Sequence, residues 1–100
     1  MLVKGVNIFP SAVEDIVREF REVSEFQIII YTEKDIDQVK VKIEPLPDFF
    51  PEQNQYLEKK ISKKLYDAHR LTFNVEIVEP GSLPKSELKS RRLQDLRIKK

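Results

Sequence analysis

Cysteine and tryptophan are absent from these 100 residues, histidine and methionine occur once each, and glycine occurs only twice. Without cysteine the chain can hold neither a disulfide nor a thiolate-bound metal. A lone His69 supplies one imidazole where a zinc site needs several ligands. Long apolar runs are missing too. Nothing approaches the roughly 20 residues of a membrane-spanning helix, and the N-terminus shows no signal-peptide pattern. A cytoplasmic protein with no membrane partner is the expectation. Also lacking are a phosphate-cradling glycine loop, a dinucleotide-binding glycine fingerprint and a Ser-His-Asp set. The length suits one domain, residues 1–100, and argues against a complete multi-domain enzyme.

What is present is a folding composition: 40% hydrophobic, 9% aromatic and 35% charged residues. The formal net charge of +1 conceals a split. Residues 82–100 hold Lys85, Lys89, Arg91, Arg92, Arg97, Lys99 and Lys100 against Glu87 and Asp95, a net +5 that leaves −4 on the rest. A basic tail on a mildly acidic body reads either as a solvated terminus or as a segment that meets an anion.

Periodicity divides the chain. Residues 2–8 form a short extended entry, with Gly5 relaxing a turn. Ser11 reads as a helix N-cap, with Glu14 closing a capping box. Val13, Ile16, Val17 and Phe20 then follow at helical spacing over about three turns. Residues 26–32 are aromatic and β-branched, which predicts a largely buried strand. Polar Glu33, Lys34, Asp35 and Asp37 turn the chain, and Val39, Val41 and Ile43 alternate with an outward Lys40, Lys42 and Glu44 in a strand able to pair as a hairpin with the last. Beyond a proline-rich bend, residues 52–69 predict a second helix. Its apolar stripe is Leu57, Ile61, Leu65 and Ala68, and its outer face carries Lys59, Lys60, Lys63 and Lys64. Acidic neighbours dilute those lysines and no aromatic platform accompanies them, so a nucleic-acid partner is not expected. Phe73, Val75 and Ile77 alternate in a further strand, and residues 79–92 read as loop. The resulting order is β-α-β-β-α-β. It predicts an α+β fold: a three- to four-stranded sheet of the ferredoxin-like kind covered by two helices, with a basic C-terminal loop and tail. His69 reads as a helix C-terminal cap, and Phe49-Phe50 as a plug for the end of the core or, if exposed, a contact patch.

Two stretches carry more than a generic pattern. The first is Gly5-Val6-Asn7-Ile8-Phe9-Pro10-Ser11-Ala12-Val13-Glu14. The second is Glu79-Pro80-Gly81-Ser82-Leu83-Pro84-Lys85-Ser86-Glu87, followed by Lys89 and by Arg91-Arg92-Leu93-Gln94-Asp95-Leu96-Arg97. Together they resemble the C-terminal domain of the phenylacetate-CoA ligase family, within the adenylate-forming acyl-CoA synthetases. The first matches that family's Gly-Val-Asn-(Val/Ile)-Phe-Pro-Ser segment, and the second its Glu-Pro-Gly-Ser-(Ile/Leu)-Pro-Arg-Ser-Glu-Gly-Lys tail. The resemblance covers nearly the whole chain, with both motifs in order. Leu88 stands where the family usually has glycine before its lysine, and Gln94 replaces a usual aliphatic residue.

The resemblance implies a two-step reaction. ATP and a carboxylic acid give an acyl-adenylate and pyrophosphate, and coenzyme A then displaces AMP. It places Lys89 as the adenylation lysine and Gly5, Val6 and Asn7 on a loop facing coenzyme A. It implies a large N-terminal adenylation domain as partner, in cis or in trans, with Mg2+ belonging to the full enzyme and no metal bound by this domain. The isolated domain is then expected to be inactive. Gly5 reads equally as a turn glycine, and Lys89 without the motif is one of 18 basic residues. The competing expectation is a stand-alone, dimeric small-molecule-binding or regulatory module of ferredoxin-like topology, paired through exposed strand edges.

Overall fold

The computed structural model describes residues 2–83 and 93–97. It opens with a miniature hairpin, β1 (Leu2–Val3) and β2 (Val6–Asn7), paired antiparallel as Leu2 with Asn7 and Val3 with Val6. The two-residue loop has positive φ at both Lys4 (52°) and Gly5 (77°), the mirror-image turn whose twist matches that of the flanking strands. The Lys34-Asp35 loop repeats this geometry, with φ of 53° and 65°. It joins β3 (Val23–Glu33) to β4 (Ile36–Pro45) in the expected hairpin.

Helix α1 (Pro10–Val17) begins two residues earlier than Ser11 capping would allow. Phe9, extended at φ −107°, is the N-cap and Pro10 the first helical residue, with no side-chain cap. Proline's fixed φ suits the first helical position, where its missing N–H has no intrahelical partner to lose; Ser11 then lies inside the helix, so the Ser11–Glu14 box is pre-empted. The helix is also shorter, eight residues. Bonds from Glu19 N–H to the Ile16 carbonyl and from Phe20 N–H to the Val17 carbonyl then tighten the chain, and Phe20 remains buried.

A 3-10 turn, Pro51–Gln53, leads into α2 (Asn54–His69). Leu57, Ile61 and Leu65 are wholly buried there, but Ala68 is exposed, contrary to its expected place in the stripe. The helix stops at Arg70 in the left-handed region, φ 55°, and Leu71 and Phe73 fill the core at that end instead. Strand β5 (Asn74–Ile77) runs parallel to β4, so α2 is the crossover of a parallel pair.

The main sheet has the order β5-β4-β3-β6, and β6 (Leu93–Asp95) pairs parallel with Ile28–Ile30. The α+β sandwich of two helices on a four-stranded sheet is as expected. Its fourth strand comes from the tail rather than from residues 2–8, so the sheet is not ordered as in a ferredoxin-like fold. The Lys4-Gly5 turn limits each N-terminal strand to two residues, too few to form a sheet edge, although Val3 and Ile8 still enter the core. Phe26, Ile28 and Ile30 join Val39, Val41 and Ile43 beneath the helices. Each such side chain stabilises the fold by about 1.5–3 kcal/mol relative to exposure.

Candidate functional site

The three residues expected at a ligand-facing loop occupy the N-terminal hairpin, each in a different setting. Gly5 forms the turn, and a Cβ built there would meet nothing within 4 Å. Within the described residues glycine is therefore required by the positive φ and not by crowding. Val6 packs partly against the core, and Asn7, its neighbour along the strand, is exposed.

Lys89 lies outside the described residues, as do Lys85, Leu88, Arg91 and Arg92. The two ends of its segment are described, and both are firmly held. At the first, Ser82 N–H and Oγ both donate to the Glu79 carbonyl, the Leu83 side chain is buried, and the Leu83 N–H donates to Glu44 Oε1 at 2.9 Å. Glu44 is only 3% exposed. This corrects the sequence pattern, which puts Glu44 with Lys40 and Lys42 on a wet face. The alternation places Glu44 correctly, but a backbone segment 39 positions away covers it.

At the second end, β6 is bonded along β3, and the Leu96 N–H donates to the Ile30 carbonyl at 2.7 Å. Arg97 then closes a clamp. Its Nε and Nη2 donate to the two carboxylate oxygens of Asp95 at 3.0 and 2.9 Å, and its Nη1 donates to Asp37 Oδ2 at 3.0 Å and to the Leu2 carbonyl at 2.6 Å. Asp95 chiefly, and Asp37 after it, hold the guanidinium well above its usual range. Two-residue spacing sets Asp95 and Arg97 on one side of an extended chain, a pattern legible within Asp95-Leu96-Arg97. Asp37 and Leu2 are tertiary partners that no local pattern announces. Through Leu2, which pairs with Asn7, the clamp ties the N-terminal hairpin that carries Gly5, Val6 and Asn7 to the C-terminal end of the second motif.

Elsewhere His69 faces the Leu65 carbonyl through Nδ1 at 3.0 Å, a cap on the last turn of α2. Phe49 packs against the core, while Phe50 is exposed. A cleft of about 360 Å³ between the proline-rich bend and the end of β5 is lined by Pro45, Phe49, Asn54, Val78 and Pro80 among others. Among the described residues no basic side chain lines it, so these offer a phosphate no countercharge. Among the described residues no three His, Cys, Asp or Glu side chains gather as metal ligands, and no helix is long and apolar enough to cross a membrane.

With this geometry in hand, comparison with known proteins is specific. Residues 5–97 match the family model described as the AMP-binding enzyme C-terminal domain. A phenylacetate-coenzyme A ligase of Thermus thermophilus is 31% identical over 97% of the chain, which spans 26% of that relative's length. The solved structure of a domain of phenylacetate-coenzyme A ligase from Bacteroides vulgatus superposes with a TM-score of 0.88 at 34% identity, covering 98% of this chain and 92% of that one. A 2-hydroxyisobutyryl-CoA ligase, solved with 2-HIB-AMP and CoA in its thioesterification state, shares the fold with a TM-score of 0.87 at 23% identity over 97% of this chain and 21% of its own.

Proposed function

This chain belongs to the AMP-binding enzyme C-terminal domain family, and from that membership we propose that it serves as the C-terminal lid of a phenylacetate-CoA ligase-like enzyme. It works with an N-terminal adenylation portion that holds ATP and the carboxylic acid. In this reading Mg2+ belongs to the full enzyme. The observation that carries the reading is the anchored segment. Matched motifs flank it, both its ends are fixed, and Lys89 lies between them.

The chemistry is direct. As the acid's oxygen attacks the α-phosphorus, charge spreads over the carboxylate, the phosphoryl oxygens and the departing pyrophosphate. The Lys89 ammonium, a compact charge on a flexible stem, bridges those oxygens in the transition state. In the second step coenzyme A attacks the acyl-adenylate and AMP leaves. Gly5, Val6 and Asn7 face coenzyme A here, with Gly5 letting the backbone lie close to a thin pantetheine arm.

The test is a pyrophosphate-release assay in which the N-terminal portion of the ligase is supplied in trans. Lys89→Ala should slow release by about 10²–10³-fold. Equal rates for wild type and variant would remove Lys89 from catalysis. Light scattering on the purified chain checks the alternative of a dimeric binding module, for which a monomer would be the wrong result.

A further inference from the structure

The proline-rich bend and the turn that opens the second motif border the cleft of about 360 Å³, which the reaction proposed above does not use. Its volume falls in the lower part of the range for small-molecule sites, about 300–1,000 Å³. Pro45, Pro47, Pro51 and Pro80 all line it, with Phe49 beside them. Each proline presents an apolar ring and brings a carbonyl but no N–H. The walls are therefore apolar, and their backbone polarity is weighted towards acceptors.

Asn54 and Glu79 are the polar side chains of this lining, and both weigh the same way. Asn54 Oδ1 is buried and has no hydrogen-bond partner among the described residues. An unpaired buried oxygen costs free energy, and in a folded protein it calls for a reason. The last torsion of an asparagine is broad, so a modest rotation turns that oxygen towards a donor in the cleft. Glu79 is the one charged residue in the lining, and the ion pairs among the described residues leave its carboxylate out. The start of α2 adds partial positive charge near Asn54. Two of its N–H groups are already taken, however, since Gln53 and Asn54 donate to the Phe50 and Pro51 carbonyls, and Glu52 stands in the same turn. Full negative charge and spare acceptors then set the preference. We infer that the cleft is a binding site for a small organic ammonium ion with an apolar body. Its ammonium group donates to Asn54 Oδ1 and pairs with Glu79, while the body packs on the proline rings and Phe49.

Three probes with a common phenyl body and different heads test this: phenethylammonium, 2-phenylethanol and phenylacetate. Each is titrated into the purified chain while amide shifts are followed by NMR. Phenethylammonium should shift the Asn54 side-chain amide and the Phe49 and Val78 N–H groups along one saturating curve. The alcohol, a neutral donor, should bind there about three- to fivefold more weakly, the size of a partly exposed ion pair. Phenylacetate should shift none of these groups. Glu79→Gln should bring phenethylammonium down to the affinity of the alcohol, and Asn54→Leu should weaken both donors by about fivefold. Glu79 is exposed, so its variant reads out the charge preference even if Asn54→Leu does not fold. Equal affinity for all three heads would reduce the cleft to an apolar surface and overturn the inference. Unchanged phenethylammonium binding in Glu79→Gln would do the same. So would release of the probe on adding the ligase N-terminal portion, which would make the cleft a contact between the two. None of these results bears on Lys89, whose role is tested separately above.

Discussion

Gly5 combines a φ of 77° with open space around its missing Cβ. Gly5→Ala should therefore lower stability by about 1 kcal/mol in urea unfolding, from backbone strain alone. A larger loss in the thioester step than this destabilisation explains would show that coenzyme A approaches that backbone. Arg97 is the opposite case, a side chain whose value lies in its partners. Arg97→Leu should cost about 2 kcal/mol and speed amide exchange at both β1 and β6, since one guanidinium serves both. Because Asp95 and Asp37 raise its pKa above the unfolded value, the stability it contributes is complete below the unfolded pKa and is lost only as pH rises through the folded one. Unfolding measured from about pH 7 to about pH 10 should show no loss from this group. In Arg97→Lys a decline should begin near the top of that range, where lysine starts to deprotonate. Of these two residues the sequence displays the glycine and the Asp95–Arg97 pair. It does not display Asp37 or the Leu2 carbonyl, because contacts across 60 and 95 positions leave no local period.

Among the elements, those with a sustained period were readable. The α2 stripe is clear because Leu57, Ile61 and Leu65 recur every four residues and all three are buried. Ile61→Ala should remove about 2–5 kcal/mol, visible as a lower urea midpoint with an unchanged slope. Strand β4 was readable by its alternation, yet the same alternation sent Glu44 to solvent, since a period of two reports a face and not what lies over it. Helix α1 was placed correctly and started wrongly, because Pro10 outweighs the Ser11–Glu14 box. Strand β6 is three residues long, below the length at which alternation can be recognised, and only its pairing with Ile28–Ile30 makes it a strand.

At the scale of the molecule, the tail does structural work as well as carrying the expected lysine. It pairs with Ile28–Ile30 on the outer edge of β3, where that eleven-residue strand would otherwise offer unpaired backbone groups to other chains. A chain truncated after Leu83 should therefore self-associate, which light scattering at increasing concentration would reveal; a truncated chain that stayed monomeric would mean the β3 edge needs no cover.

Apolar periodicity, turn chemistry and two terminal motifs were enough to determine two amphipathic helices, the central hairpin and the family, because each is written in residues close together along the chain. Which segment completes the sheet, where the buried Glu44 points and what Arg97 holds were decided only by the tertiary structure. Those outcomes depend on backbone groups from distant positions finding partners, and a backbone N–H or carbonyl carries no mark of its partner in the sequence.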